Sequence, residues 1–248
     1  MTNRPLSYIV KNQKPVVLPV DATVAEACRT MCEQQTGSVL VTDESERLVG
    51  IFTGRDAVRM MVDSTGMGDT PLGRAMTPNP VVVAPSTRAI DALRIMKERG
   101  FRHLPVVEGN TVTGVVSLND FKGMELEEFV RQQSGAASLA PSDRGVGDIV
   151  RNKTPVQVAT ADPIQQACSL MRRHGTGAVL IVDDTGRLAG IFTGRDAVRA
   201  LAAGTAAPTS AVADVMTATP TTTPSRAQGH RSAAPHERRR LPPPAGGR

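Results

Sequence analysis

A ten-residue segment occurs twice in this chain of 248 residues. The segment Gly50–Arg59 is repeated without change at Gly190–Arg199, 140 residues later. The same offset carries Met76-Thr77 to Met216-Thr217 without a gap. A repeat at a fixed offset indicates that each copy is one folding unit rather than an arbitrary part of a larger domain.

A shorter repeat lies inside the 140-residue unit. Gly50–Asp56 resembles Gly114–Asp120, because each has a glycine, two apolar residues, a hydroxyl residue, two variable residues and an aspartate. The basic unit is therefore about sixty residues long, and it is present twice in the first half and once at the start of the second. A fourth copy is due after Met216, but the residues there do not resemble one.

The net charge of +5 belongs to the end of the chain. Residues 221–248 hold six arginines and one acid, which leaves 23 basic and 23 acidic residues in positions 1–220. The arginine run 238–240 has no aromatic residue or recognition helix beside it, so nucleic acid is not an expected partner. No apolar run approaches the ~20 residues of a membrane span. With three cysteines and no sign of an oxidising compartment, we expect a soluble cytoplasmic protein without membrane insertion.

Apolar spacing predicts the element order β-α-β-β-α in each unit. The first helix begins at Asp21 or Thr23, both plausible N-caps, and Gly37 ends it. In the third copy, Asp162-Pro163 predicts an N-cap followed by proline at the first helical position. The predicted strands are 15–19, 38–41 and 48–52 in the first copy, and 81–83, 104–107 and 112–116 in the second.

This element order, with a hydroxyl residue and an aspartate opening the last helix, resembles the cystathionine-β-synthase (CBS) domain. The resemblance covers residues 6–220, and the second copy adds Gly-Phe-Arg-His-Leu-Pro-Val-Val at 100–107, which is frequent in that family. It implies an α/β (α+β) fold of tandem CBS domains whose sheets pack in pseudo-twofold pairs, called Bateman modules. The implied organisation is a first repeat at 6–62, a second at 75–124 that pairs with the first, a helix and linker at 125–145 (the helix at 125–133), a third repeat at 146–202, the start of a truncated fourth repeat at 212–220, and a disordered basic tail at 221–248.

The signature suits an anionic nucleotide. A strand that turns directly into a helix concentrates free backbone N–H groups, and Thr53 and Ser117, each predicted to begin a helix, add hydroxyls. In the CBS family the signature aspartate binds ribose, and this sequence matches at Asp56, Asp120 and Asp196. The alternative is that Thr53 and Asp56 form only a helix cap and a partner for the helix dipole.

The candidate ligand-binding residues extend to the neighbouring strands. Glycine and other small residues at 37, 38, 177 and 178 leave strand edges open to an adenine ring. Arg55, Arg102 and His103 are candidates to counter phosphate charge, as basic residues near these positions do in related modules, although His103 could instead be a packed surface histidine. The full candidate set is Gly37, Ser38, Val39, Thr53, Arg55, Asp56, Arg102, His103, Leu104, Ser117, Asn119, Asp120, Thr193, Arg195 and Asp196.

Other chemistries find little support. Cys28 and Cys32, four residues apart, could be two metal ligands, but Cys28 falls on the apolar stripe of its helix, which favours core packing. No nucleophile, metal cluster or phosphate-binding glycine loop appears, so we expect neither a bound metal nor an enzyme.

The resemblance implies a stand-alone regulatory, ligand-sensing module that acts in signal transduction. It would bind an adenosine-containing nucleotide such as AMP, ADP, ATP or S-adenosylmethionine in the cleft between paired repeats. Its output would be a change in its own oligomeric state or in an unidentified regulated protein. The alternative is a structural adaptor or dimerisation module without a ligand. A homodimer is expected, because the third repeat lacks a recognisable partner in its own chain and would expose an apolar sheet face.

The tail from Gln228 to Arg248 is rich in Arg, Pro, Ala and Gly and lacks apolar periodicity. Ordinary codons exist for it that, read one base later, encode a segment ending in Arg-His-Leu-Pro-Val-Val that aligns without a gap on residues 88–107. We hypothesise that a frameshift near 226–228, in the gene or in its sequencing, replaced a fourth CBS repeat. The alternative is a natural disordered tail. In both cases, residues 221–248 should not pack and Asp196 should bind nucleotide poorly.

Overall fold

The computed structural model describes residues 3–63, 68–121, 123–133, 147, 150, 151, 153–204 and 207–223. Contacts divide the chain into a large unit, residues 1–137 with 155–220, and a small one, residues 138–154 with 221–248. The sheets and helices of all three repeats lie in the large unit. The prediction that residues 221–248 do not pack falls mostly on residues 224–248, which lie outside the described residues, while residues 221–223 are exposed.

Repeat 1 forms a four-stranded sheet in the order β1-β2-β3-β4, in which β1 and β2 are parallel and the other pairs antiparallel. Its strands are β1 (Val17–Pro19), β2 (Ser38–Thr42), β3 (Leu48–Thr53) and β4 (Thr77–Pro78). Its helices are α2 (Val24–Glu33), α3 (Gly54–Asp63) and the short α4 (Leu72–Ala75), and a preceding helix α1 spans Leu6–Val10.

The first long helix is capped by Thr23, not Asp21. The Thr23 hydroxyl accepts a hydrogen bond from the backbone N–H of Glu26 at 3.2 Å. The prediction that Gly37 ends this helix was wrong, because α2 ends at Glu33 and Gln35 takes the left-handed conformation with φ 52°. Repeat 3 has glycine at the position of Gln35, where the absence of a Cβ removes the steric cost of that conformation.

Repeat 2 contains α5 (Ala89–Arg99), β5 (His103–Glu108), β6 (Thr111–Ser117) and α6 (Gly123–Gln133), with β5 and β6 forming a two-stranded antiparallel sheet. The predicted strand at 81–83 is reduced to a single bridge between Val83 and Val106. The helix predicted from Ser117 was also wrong, because only a 3-10 turn, Leu118–Asp120, follows β6 before α6 begins.

Repeat 3 reproduces repeat 1 with the strand order β10-β9-β8-β7. Its elements are β7 (Gln157–Ala159), α7 (Ile164–His174), β8 (Ala178–Val182), β9 (Leu188–Thr193), α8 (Gly194–Ala203), a 3-10 turn (Val212–Asp214) and β10 (Thr217–Ala218). The predicted Asp162 N-cap was wrong: Pro163 occupies that position, and the Asp162 carboxylate accepts the backbone N–H of Ala159 at 2.7 Å.

The segment 207–218 packs on repeat 3 in the same way as the segment 68–78 packs on repeat 1. The backbone N–H of Val24 donates to the Thr70 carbonyl at 2.9 Å, and that of Ile164 donates to the Ser210 carbonyl at 3.0 Å. β4 and β10 then pair with β3 and β9, respectively, in the same register. The residues from 207 to 218 therefore belong structurally to repeat 3, as those from 68 to 78 belong to repeat 1.

Repeats 1 and 3 share one hydrophobic core. Helices α2 and α3 pack against α8, and α3 also packs against α7. The expectation that the third repeat lacks a partner in its own chain was therefore wrong for its helical face. Repeat 2 has a separate core, which α1 completes with Leu6 and Val10. Among the described residues, no helix combines the length and apolarity needed to cross a bilayer.

Candidate functional site

The signature aspartate of repeat 1 is fully occupied by its own chain. Asp56 is 3% exposed, and its Oδ2 accepts hydrogen bonds from the backbone N–H and the hydroxyl of Thr53, both at 2.8 Å. Its Oδ1 accepts the Thr77 hydroxyl at 2.9 Å and lies 3.1 Å from Nη2 of Arg59. A carboxylate offers about four acceptor positions, so little capacity is left for a ligand.

The aspartate of repeat 3 has the same environment. Asp196 is 1% exposed, and its Oδ2 accepts the backbone N–H and hydroxyl of Thr193 at 2.7 and 2.6 Å. Its Oδ1 accepts the Thr217 hydroxyl at 2.8 Å and pairs with Arg199. The cleft beside it, about 400 Å³ in volume, is lined by Arg199 and Thr217 as well as Asp196 itself.

Asp120 in repeat 2 differs from both. Its Oδ2 accepts the backbone N–H and hydroxyl of Ser117 at 2.6 and 2.8 Å, which completes a capping box. Within the described part of the chain, no hydrogen bond or ion pair reaches its Oδ1, and the residue is only half-buried. The sequence explains the difference: three residues after the aspartate, Gly123 stands where repeats 1 and 3 have Arg59 and Arg199.

His103 lies at the same end of repeat 2, paired with Ser117 across β5 and β6. Burial lowers the pKa of His103 below its usual value of 6.5; the charge of Arg102 lowers it further, and that of Asp120 acts in the opposite direction. A hydroxyl, a carboxylate and an imidazole are therefore collected at one end of this two-stranded sheet.

Repeat 2 meets both other repeats through two adjacent residues. A Cβ added to Gly37 would lie 2.7 Å from Nε2 of His103, and a Cβ added to Gly177 would collide with the guanidinium of Arg102. Gly37 and Gly177 are equivalent positions in repeats 1 and 3. A larger residue at either position would displace the facing side chain of repeat 2 from its present place.

The first residues of α3 and α8 also meet. A Cβ on Gly194 would lie 2.9 Å from the backbone oxygen of Gly54, so the positive ends of two helix dipoles converge. Next to them, the Arg55 guanidinium donates to the Gly100 carbonyl at 3.2 Å. The backbone N–H of Arg195 donates to the Thr193 hydroxyl, and within the described residues no ion pair or hydrogen bond engages its guanidinium. Both arginines at these helix starts are exposed, and Arg55 reaches repeat 2.

The remaining candidate residues are less well placed to contact a ligand. The side chains of Val39 and Leu104 are buried in the two cores, so only their backbone is available to a ligand. Ser38 is 4% exposed, whereas Asn119 is exposed. Arg59, Thr77 and their counterparts were not predicted as partners of the aspartates, although the repeated Met-Thr pair was a visible signal.

The cysteines do not form a metal site in the described part of the chain, where no three His, Cys, Asp or Glu side chains cluster as ligands. Cys28 and Cys168 are buried at equivalent core positions. Burial raises the pKa of each thiol to about 12. Both side chains are therefore packed as neutral thiols.

Comparison with known proteins decides the family. The model of the CBS domain matches residues 9–63, 72–124 and 146–203. The chain belongs to the CBS-domain family. It is 27% identical over 241 residues to the Arabidopsis thaliana CBS domain-containing protein CBSCBSPB1, a match that covers 85% of this chain and 44% of that protein. An Acidianus ambivalens protein of 17.7 kDa is 38% identical over 128 residues, which covers 51% of this chain and 76% of that protein.

The fold of this CBS-domain protein is also that of a solved structure. MJ1225 from Methanocaldococcus jannaschii superimposes with a TM-score of 0.67 over 89% of this chain and 84% of that one, at 16% identity. This likeness confirms the tandem CBS fold. The chain spans less than half the length of the Arabidopsis relatives that it matches.

Proposed function

We propose that this CBS-domain protein is a regulatory module that binds an adenosine-containing nucleotide at the end of β5 and β6, where repeat 2 meets repeat 1. The observation that carries the proposal is the carboxylate of Asp120, which is half-buried and keeps one oxygen without a partner among the described residues. In the family, the aspartate at this position of the signature binds ribose. Asp120 Oδ1 is available to accept from the two vicinal hydroxyls of such a sugar.

The surrounding residues supply the other parts of a nucleotide site. His103 is close enough to Asp120 for their charges to interact, and it offers a hydrogen-bond donor to a phosphate group. The adjacent Arg102, whose guanidinium lies against Gly177 of repeat 3, adds positive charge at the same end of β5. Arg55 and Arg195 stand at the converging starts of α3 and α8, where free backbone N–H groups favour anions. This arrangement suits AMP, ADP, ATP or an S-adenosylmethionine-like ligand.

The proposal narrows the prediction from the sequence, which gave all three aspartates the same role. Asp56 and Asp196 each hold the start of their own helix, a threonine hydroxyl and an arginine. A ribose would have to displace those bonds, which net about 1 kcal/mol each and more where charge is involved. We therefore assign Asp56 and Asp196 to the fold and Asp120 to the ligand.

Ligand binding is coupled to regulation through the packing of repeat 1 against repeat 2. A ligand that contacts repeats 1 and 2 together favours the arrangement in which both contribute to the cleft, and it shifts the population of that arrangement. The output is association with an unidentified regulated protein or with a second copy of the chain. The second candidate function is a structural adaptor without a ligand, which is favoured by the saturated carboxylates of Asp56 and Asp196.

A thermal-shift panel tests the proposal. We expect AMP, ADP, ATP or S-adenosylmethionine to raise the melting temperature, because a ligand specific for the folded state adds about 2.7 kcal/mol of stability at 100 times its Kd. Arg102→Gln should reduce the shift given by a phosphorylated nucleotide but leave any shift given by adenosine. Arg94→Gln, on an exposed face of α5, is the control. If no compound in the panel shifts the transition, the adaptor function is correct and the nucleotide proposal fails.

A further inference from the structure

Repeat 2 holds its signature turn differently from repeats 1 and 3. In those two repeats, a ten-residue helix follows the signature at once, and an arginine of that helix pairs with the aspartate. In repeat 2, a 3-10 turn spans Leu118–Asp120, and α6 begins only at Gly123. The turn that carries Asp120 therefore needs another support if its carboxylate is to keep a fixed direction.

The N-terminal segment, residues 3–10, packs on repeat 2 as the segment 68–78 packs on repeat 1. The backbone N–H of Ala89, at the start of α5, donates to the Arg4 carbonyl at 3.0 Å. The carbonyls of Thr70 and Ser210 accept the equivalent bonds from α2 and α7. Arg4 is therefore their counterpart, and it brings a long cationic side chain where the other two repeats have a short hydroxyl one.

The Arg4 side chain joins the two parts of repeat 2 on either side of the break. Its Nε donates to Oε1 of Glu125 at 2.8 Å, and its Nη2 donates to the carbonyl of Asp120 at 3.2 Å. Glu125 lies in the first turn of α6 and is 4% exposed, while Arg4 is half-buried. A guanidinium is planar and carries its donors in a rigid fork, so it holds two acceptors in a defined geometry. One side chain therefore links the backbone at Asp120 to α6.

The N-terminal segment is itself anchored, so the Arg4 side chain starts from a fixed place. Leu6 is fully buried in the core of repeat 2. The Asn3 side chain accepts the backbone N–H of Ile90 at 3.2 Å, and the Arg88 guanidinium donates to the Asn3 carbonyl at 3.1 Å. Phe121 is buried in the same core. Packing thus holds the turn from its apolar side, and Arg4 holds it from its polar side.

We propose that Arg4 is a positioning residue for the nucleotide site: with Glu125 it fixes the turn from which the Asp120 carboxylate reaches the ligand. This inference rests on the proposed function and extends its site to the N-terminal segment. Oδ2 of Asp120 is engaged by Ser117, so the direction of Oδ1 follows the backbone of the turn. Hydrogen bonds weaken steeply when their angles are poor, so a displaced turn loses its bonds to ribose without any contact between Arg4 and the ligand.

The support is found in the repeat whose carboxylate is open. Asp56 and Asp196 are held at both oxygens by threonine and arginine side chains. Of the three aspartates, Asp120 alone keeps an oxygen without a partner among the described residues. Arg4 stands in the segment that packs on the same repeat. It therefore holds the backbone of this turn, while the open oxygen stays available to a ligand.

Calorimetric titration of AMP, ADP, ATP and S-adenosylmethionine into the full chain tests the proposal. Arg4→Lys keeps the charge but loses the fork, so we expect it to weaken binding by about three-fold or more. Glu125→Gln is a second variant with the same expected direction. Arg88→Lys, the same substitution at an exposed residue that also contacts the N-terminal segment, should keep the wild-type Kd. A thermal unfolding curve establishes that each variant is folded.

A double variant separates positioning from a general loss of stability. If Arg4 acts through the carboxylate, Arg4→Lys should weaken binding in the wild type but add nothing in the Asp120→Asn background, because residues that act as one unit are not additive. An equal further loss in that background would mean that Arg4 acts elsewhere, and it would overturn the proposal.

The ligand-free chain provides an independent measurement, NMR titration of His103, whose signal His103→Gln assigns. Burial lowers the pKa of His103, the charge of Asp120 raises it and that of Arg102 lowers it. Asp120→Asn should therefore lower this pKa further, and Arg4→Lys should change it in the same direction, whereas Arg88→Lys should not.

The two measurements fail in different ways. If no nucleotide binds the wild type, the proposed function fails, and the titration of His103 still decides whether Arg4 holds Asp120. Arg4→Lys with the wild-type Kd and the wild-type pKa of His103 overturns the inference even if a nucleotide binds.

Discussion

At the scale of single residues, one position separates the three copies of the signature. Asp56 and Asp196 are each followed three residues later by an arginine that pairs with the carboxylate, whereas Gly123 stands three residues after Asp120. The signature itself could be predicted from the sequence, which left a cap role and a ligand role for its threonine and aspartate as open alternatives. The hydrogen bond from the Thr77 hydroxyl to Asp56 could not be predicted, because it depends on the pairing of β4 with β3.

His103 gives a prediction at the same scale. Its pKa is lowered in the folded chain, mainly by burial, so the unfolded chain binds more protons below about pH 6.5 and stability falls as the pH falls there. We expect His103→Gln to make the free energy of unfolding less dependent on pH between 6.5 and 5, by up to about 1.4 kcal/mol per pH unit. Urea denaturation at several pH values measures this. His174→Gln, at an exposed position, should keep the wild-type slope, and an unchanged slope in His103→Gln would contradict the account.

At the scale of elements, periodicity predicted the strands β2, β3, β5 and β6 and the long helices α2, α5 and α7. It failed at Ser117, where the hydroxyl-x-x-aspartate pattern closes a capping box over a 3-10 turn and the helix begins only at Gly123. A capping box fixes the first turn but does not determine whether the chain continues as a helix. The packing of helices from one repeat against those of another could not be predicted either, because an apolar stripe shows that a helix face is buried but not which element covers it.

The contact between α3 and α8 gives the prediction for this scale. In a helix interior, alanine usually stabilises by about 0.5–1 kcal/mol relative to glycine, so without a steric contact the same change at a helix start should not destabilise. In Gly194→Ala the new Cβ would lie 2.9 Å from the backbone oxygen of Gly54, so the helices must shift at a cost of about 1–3 kcal/mol. We expect a lower free energy of unfolding by chemical denaturation. Gly123→Ala, where nothing lies within 4 Å of the new Cβ, should be neutral or stabilising; equal effects of the two changes would refute the contact.

At the scale of the whole molecule, the internal repeat predicted the tandem organisation and the CBS fold before any contact was known. It did not predict that repeat 3 shares a core with repeat 1, since both repeats use those helices to cover their own sheets as well. The hypothesis of a frameshift near 226–228 stays a prediction, because these residues and the tail after them lie outside the described part of the chain, and the coding DNA read in the next frame decides it. The segment predicted to begin a fourth repeat at 212–220 instead completes repeat 3 as far as Ala218, as residues 68–78 complete repeat 1.

The most direct test of the central claim is a calorimetric titration of the best nucleotide from the panel into four proteins: the wild type, Asp120→Asn, Asp56→Asn and Asp196→Asn. Losing a charged hydrogen-bond partner costs about 1.5–3 kcal/mol, so Asp120→Asn should weaken binding ten-fold or more. Asp196→Asn and Asp56→Asn should lower the melting temperature but retain the wild-type Kd. Wild-type affinity in Asp120→Asn, or an equal loss in Asp196→Asn, would contradict the assignment of the ligand to repeat 2.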